Sequence, residues 1–111
     1  MTYKRWDVVV VPYPFIDVGE VKNRPALIIS SDALHQPHGV YWIVMITTAR
    51  AGQQLEDIAI ADPARVGLSE DCVIRVKRLT ALNESQISRR LGAISTKNRN
   101  AVGALLKKYM P

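Results

Sequence analysis

Seven loop and strand-end side chains in this 111-residue sequence form a constellation whose chemistry could hold a phosphate group: Arg24, Thr47, Thr48, Arg50, Arg75, Lys77 and Arg78. A guanidinium is permanently charged, and its planar fork of donors matches two phosphate oxygens at once. A threonine hydroxyl adds a neutral donor. Together they can stabilise the extra negative charge of a pentacoordinate phosphorus without a metal ion. Arg24 precedes Pro25 and the run Ala26-Leu27-Ile28-Ile29, which does not alternate and so reads as a strand covered on both faces. Pro25 fits as the first strand residue, where its missing N–H breaks no ladder bond. Arg24 is therefore expected on the lip of a buried strand, beside a loop. Its plainer reading is a solvated charge at a strand end. Thr47 and Thr48 close the apolar run 41–46 and, being adjacent, point to opposite faces, so only one shares a face with Arg24. The plainer reading of either is β-branched strand filler.

RNA suits this chemistry because its own 2′-hydroxyl supplies the nucleophile. A protein that only positions the phosphate and stabilises charge could cut RNA and could not easily cut DNA. Other chemistries lack support. The sequence has no GxGxxG, Walker loop or CxxC. His35 and His38 lie near a Pro/Gly turn without an obvious third metal ligand. As an acid–base pair they are chemically plausible, and the expectation for them is ordinary exposed turn histidines. Asp17, Glu20, Glu56, Asp57 and Asp62 are scattered over loops, not gathered as a two-metal site requires. No metal or other cofactor is expected.

The elements that must position these groups are mostly strands. Residues 7–13 form the first, with Pro12 marking its end or an edge. A loop of about ten residues, 14–23, follows and exceeds a usual hairpin connection. The second strand is expected over 25–31, one helical turn over 31–35, a breaker at Pro37-His38-Gly39, and a third strand over 40–48. A loop over 49–56 leads to short strands over 57–61 and 72–79. Asn83 is expected to cap a short helical segment in which Ile87 and Leu91 share a face and Gly92 is the stop. Ser95 or Thr96 caps a terminal helix over 97–109 with the apolar stripe Val102, Leu105, Leu106, Tyr109. Strands followed by helices make an α+β fold, mainly β: a small, strongly bent antiparallel sheet or barrel with a C-terminal helix packed on it.

The length suits a single domain, 1–111. The first residues are polar, so no secretory signal is expected. No apolar run approaches the roughly 20 residues of a membrane span. The one cysteine, Cys72, rules out an internal disulfide and fits a reducing, cytoplasmic setting. The net charge of +5 hides an asymmetry: residues 1–74 carry 6 Lys/Arg and 9 Asp/Glu, residues 75–111 carry 9 Lys/Arg and Glu84 alone. A basic third of this kind suits a polyanion or an acidic protein partner, or is a solvated basic helix surface.

Several segments in order resemble the MazF/PemK type II toxins, a family of sequence-specific endoribonucleases. They are Lys4-Arg5-Trp6-Asp7-Val8, Pro14-Phe15, Arg24-Pro25-Ala26-Leu27-Ile28-Ile29-Ser30, Ile46-Thr47-Thr48, Gly67-Leu68-Ser69 and Arg89-Arg90-Leu91-Gly92-Ala93-Ile94-Ser95. The resemblance covers nearly the whole chain. It implies an SH3-like barrel, a homodimer with single-stranded RNA along the dimer groove, metal-free cleavage, and inhibition by a cognate antitoxin with an acidic segment. By position, Arg24 and Thr47 match the family's catalytic Arg and Thr. Asp17, Glu20, Lys22, Thr48, Arg50, Arg75, Lys77 and Arg78 are then expected along the RNA path. Three departures stand out. Trp6 replaces the usual Gly of the opening motif. Arg75-Val76-Lys77 has Lys where some PemK members have Arg-x-Asp, so that carboxylate is not on hand as a base. The loop 16–23 lacks the histidine of some relatives. The general base is unassigned, with Asp17 and Glu20 as candidates.

The sequence therefore reads as a metal-independent endoribonuclease toxin that leaves a 2′,3′-cyclic phosphate and a 5′-hydroxyl. Its dimer contact is expected on the strand carrying Trp42 and Met45. Two other classes fit the same barrel: a non-enzymatic, CcdB-like gyrase inhibitor, and a module that coats nucleic acid without cutting it.

Overall fold

The valine run after Asp7 and the aliphatic run after Pro25 become neighbouring antiparallel strands, as β-branched side chains on a pleated backbone favour. The computed structural model describes residues 2–14 and 21–111. Its elements are β1 (Asp7–Pro14), β2 (Val21–Ile28), α1 (Asp32–His38), β3 (Val40–Thr48), β4 (Ile58–Ala59), β5 (Cys72–Asn83), β6 (Arg89–Ala93) and α2 (Thr96–Tyr109). The strands form one antiparallel sheet in the order β4-β5-β3-β2-β1-β6, curled into a half-barrel with α2 against it. The fold is mainly β, as the sequence implies.

Curling gives the sheet two buried faces. On one, Val8, Leu27, Val44, Ile46 and Ile74 pack with Val102 and Leu106 of α2. On the other, Val9, Val11, Ala26, Ile28, Tyr41 and Ile43 pack with Tyr3, Leu82 and Ile87. This explains the unbroken apolar run 26–29: successive side chains enter different cores. Each fully buried Val, Leu or Ile contributes about 1.5–3 kcal/mol.

Several boundaries differ from the sequence expectation, each for a tertiary reason. β2 begins at Val21, not at Pro25, because β1 continues to pair with Asn23 and Lys22. Arg24 is thus inside a strand. Pro12 is tolerated within β1 because β6 pairs only as far as Val10, which leaves that flank an edge. β2 stops at Ile28, and the expected turn lengthens into α1, which holds Pro37 in its last turn and ends on left-handed Gly39. β4 is cut to two residues, while β5 runs on to Asn83 through its pairing with β3. Residues 84–93 are not helical beyond one 3₁₀ turn, Glu84–Gln86, closed by an Asn83/Gln86 capping box. Arg89–Ala93 is instead a strand on β1. Gly92, expected as a helix stop, lies in β6, where a Cβ would come within 3.1 Å of the Val66 Cα. His35 is not exposed: it is buried and stacks on Tyr41 with ring centroids 4.4 Å apart. Helix α2 starts one residue early, on a Ser95 cap that accepts from the Asn98 N–H.

Trp6 adopts φ +78°, a left-handed backbone that favours glycine. Backbone bonds on both sides hold it there, from the Trp6 N–H to Ile28 and from the Ile94 N–H to Trp6, and Arg5 stacks on the indole at 4.4 Å. The chain places a tryptophan where the turn geometry suits glycine.

Charge pins the connection between β3 and β4. Arg75 donates to both oxygens of Asp57 (3.1 and 2.9 Å) and to the Gly52 carbonyl (2.9 Å). Their side chains are only 9% and 1% exposed. Glu56 accepts from Lys108 and the Tyr109 hydroxyl, which hold its carboxyl below the usual range. Burial works against the Asp57 carboxylate, but hydrogen bonds from Arg75 and the Gln54 amide outweigh it and hold the pKa down. Replacing Arg75 by Leu strands a buried carboxylate and should cost about 3–5 kcal/mol in urea unfolding. A carboxylate depressed in the folded state stabilises fully above its unfolded pKa, about 3.9, and that stability is lost as pH falls through the folded value. Wild-type stability should therefore drop with acid over this interval, and Asp57→Asn should flatten that limb. Parallel acid limbs for the two proteins would show that the pair carries no linked proton.

Candidate active site

The β2–β3 ladder is short. It runs from Ile28↔Ile43 to Ala26↔Met45 and stops, although β2 continues back to Val21 and β3 forward to Thr48. Beyond that point β2 stays with β1, and β3 stays with β5. The sheet forks. The Ile29 N–H donates to Trp42 across this ladder; alternation then aims the nitrogens of Leu27 and residue 25 at β3 as well. Residue 25 is proline and has no N–H to give. The ladder ends where its next donor is missing.

Arg24 and Thr47 stand on the two lips of this fork. Each lies two residues past the Ala26↔Met45 pair, so both project to the same face as that pair. Arg24 is half-buried and Thr47 is 8% exposed. Thr48 points to the opposite face and does not share the cleft. Lys22, exposed, is on the face of Arg24 one pleat further along β2. The β3–β5 register jumps from Val44↔Leu79 to Met45↔Arg75, which leaves residues 76–78 as a bulge. Lys77 and Arg78 are exposed there, while Val76 is buried.

The other sequence candidates are dispersed. Arg50 is exposed and pairs with Glu70 at 2.7 Å. Arg75 lies on the face of Thr47 but is buried against Asp57 and Gly52, so its guanidinium holds the loop that follows Thr48. Asp17 and Glu20 lie outside the described residues. Among the described residues no group of three or more His, Cys, Asp or Glu side chains could hold a metal. Trp42 and Met45 are three apart in a strand and so face opposite ways, which corrects the single dimer face expected for them. Sequence reasoning missed Asp57 as the partner of Arg75. A carboxylate 18 residues upstream carries no local signal.

Comparisons with known proteins bear on the fold and the family. The chain superposes on a MazE–MazF complex from Deinococcus radiodurans with a TM-score of 0.74, at 19% identity over 99% of this chain and 97% of that one. A mycobacterial endoribonuclease in complex with its cognate antitoxin gives 0.72 at 18% identity, over 96% and 90% of the two chains. The Mycobacterium tuberculosis toxin MazF-mt6 gives 0.72 at 17% identity, over 92% and 93%. At these identities the likeness speaks for the fold. Comparison with curated protein sequences finds no significant match. The family model of the PemK-like, MazF-like toxins matches residues 4–110, nearly the whole chain. With that span matched and the fold shared, the chain belongs to the PemK-like, MazF-like toxins of type II toxin–antitoxin systems.

Proposed function

We propose that this toxin is a metal-independent, sequence-specific endoribonuclease acting on single-stranded RNA. The observation that carries the reading is the fork, which sets Arg24 and Thr47 on facing lips of one cleft. A phosphodiester seated between them has its 2′-hydroxyl attack phosphorus and its 5′-oxygen leave. The products are a 2′,3′-cyclic phosphate and a 5′-hydroxyl. Arg24 stabilises the dianionic phosphorane, and Thr47 donates a hydrogen bond to a non-bridging oxygen. Lys22, Lys77 and Arg78 contact neighbouring phosphates. Arg50 joins them by exchanging Glu70 for a phosphate. Arg75 contributes by holding the loop beside Thr47. Solved MazF structures in complex with MazE, and the endoribonuclease in complex with its antitoxin, support an antitoxin as the natural inhibitor. An acidic segment is the complement to this basic surface.

The experiment is cleavage of a mixed-sequence RNA by purified protein in excess EDTA, with both ends of each product mapped. Cutting should persist in the chelator, since the groups assigned to the phosphate are an arginine and a threonine. Loss of cutting on chelation with rescue by added metal would reject the mechanism. Arg24→Ala should lower the rate by roughly 10²–10³ with an unchanged circular dichroism spectrum. Full activity in that variant would return Arg24 to a solvated strand charge.

The active species in this reading is a homodimer. Trp42 is 40% exposed and Met110 50%. Both line a groove of about 550 Å³ with Leu34 and Leu106, between α1 and α2. Aromatic and Met side chains favour the centre of an isologous contact. Sedimentation at micromolar concentration should give twice the 12.4 kDa chain mass, and Trp42→Glu should shift it to the monomer. A wild-type monomer that still cuts at a defined sequence would remove the dimer from the mechanism.

A further inference from the structure

A cavity of about 270 Å³ opens at the seam where β1 approaches the second half of β5. Its floor is apolar and buried: Val11, Ile43 and Leu82. Its rim is Pro12, Thr80, Ala81 and Gln86, all partly or fully exposed. Drug-sized pockets run from about 300 to 1,000 Å³, so this one suits a single planar ring system.

Its position ties it to the fork. Val11 of the floor is directly paired with Arg24, so the two side chains share a face with Cα atoms about 5 Å apart. Ile43 and Thr80 are also paired with each other and face the same way. Charge lies at one side of the mouth: Arg24 is paired with Val11, and Arg78 lies two residues before Thr80. The polar rim can also discriminate. Gln86 uses its Oε1 to accept the Asn83 N–H in the capping box, which fixes the carboxamide and leaves its two Nε2 hydrogens to point elsewhere. Thr80 adds a hydroxyl that can donate or accept.

We propose that this seam cavity binds one unpaired nucleobase of the RNA, adjacent to the phosphate held by Arg24, and that Thr80 and Gln86 read its edge. The base packs its flat face against Val11, Ile43 and Leu82, burying apolar ring surface, and its edge stays open to hydrogen bonding. Arg24 holds the phosphate beside it. Thr80 and Gln86 are specificity-determining residues here, outside the bond-making step. The inference rests on the RNA-cleaving reading above and names its sequence-reading subsite.

Two conservative variants test it. Thr80→Val keeps the shape and removes the hydroxyl. Gln86→Glu keeps the oxygen that accepts from Asn83 and removes the amide donor. Each protein is incubated with a randomised single-stranded RNA pool, the cut ends are sequenced, and equilibrium binding to the same pool is selected and sequenced in parallel. Thermal unfolding midpoints confirm that each variant is folded. Wild type should prefer one base at a single position beside the cut, and each variant should weaken that preference roughly tenfold, the worth of about one hydrogen bond. Preferences at other positions should hold. An unchanged preference at every position in both variants overturns the subsite and leaves the nuclease standing. If wild type binds RNA without cutting, the nuclease fails and the binding arm alone judges the cavity by the same shift. If wild type neither cuts nor binds, both readings fall.

Discussion

A hydrogen bond that cannot form organises the candidate site. β2 and β3 are the two central strands of the sheet, and adjacent strands normally zip to their ends. Here the next donor toward β3 belongs to Pro25, which has none, and the strands part. Each then keeps only its outer neighbour: β1 supports residues 21–25, and β5 supports residues 45–48. The polar groups released by the fork thus remain on backbone that is paired on one side. That is how a loop-like function, the display of Arg24 and Thr47, comes to sit on strand backbone. Side chains on supported strands lose less freedom on binding than the same side chains on loops.

The opening also explains why two arginines on the same face have different surroundings. Arg24 lies past the end of the ladder, where one flank of its strand is open. Arg75 lies within the β3–β5 ladder opposite Met45, where burial would leave its charge unsatisfied without a carboxylate. Asp57 supplies it, and the Gly52 carbonyl accepts a third hydrogen bond from the guanidinium. A charge pair of this kind adds little net stability relative to an apolar core, yet its geometry is specific. What it specifies is the path of the chain after Thr48, which must leave the fork without closing over it.

The aliphatic runs, the capped C-terminal helix and the covered faces of residues 26–29 were legible because each is written in side chains a few positions apart. The stripe through Val102 and Leu106 is of this kind, as is Ser95 at the helix start. β6 was not. Ile87 and Leu91 have helical spacing, and only pairing of Arg89–Ala93 with β1, reinforced by Arg90 on Asp7 at 3.0 Å, makes that stretch extended. The polar start of β2 was missed for the same reason: Lys22-Asn23-Arg24 has no strand pattern, and β1 alone holds it in the sheet. Of the site, Arg24 and Thr47 were legible as types, and the alternation rule said that only one threonine could face the arginine. The rule could not choose between Thr47 and Thr48, because the choice depends on the register between β2 and β3, which is set by the Ala26↔Met45 pair and not by any local pattern.

The same distinction applies to charge. Nine lysines and arginines after residue 74 suggest one continuous basic surface. Three of them are matched by carboxylates from earlier in the chain: Arg75 by Asp57, Arg90 by Asp7 and Lys108 by Glu56. Lys97, Arg99 and Lys107 ride on α2, which covers the core on the far side of the sheet from the cleft. At physiological salt a charge is screened beyond about 8 Å, while the molecule is 27 Å across its shortest axis. Cations on α2 can raise the local concentration of a polyanion but cannot contact a phosphate in the fork, the proposed site. The cations placed to make contacts in the proposed site are few: Lys22 and Arg24 on β2, and Lys77 and Arg78 at the β5 bulge. Two of these four belong to the acidic part of the sequence, so the folded sheet, not the charge of either segment, assembles the proposed phosphate-binding face.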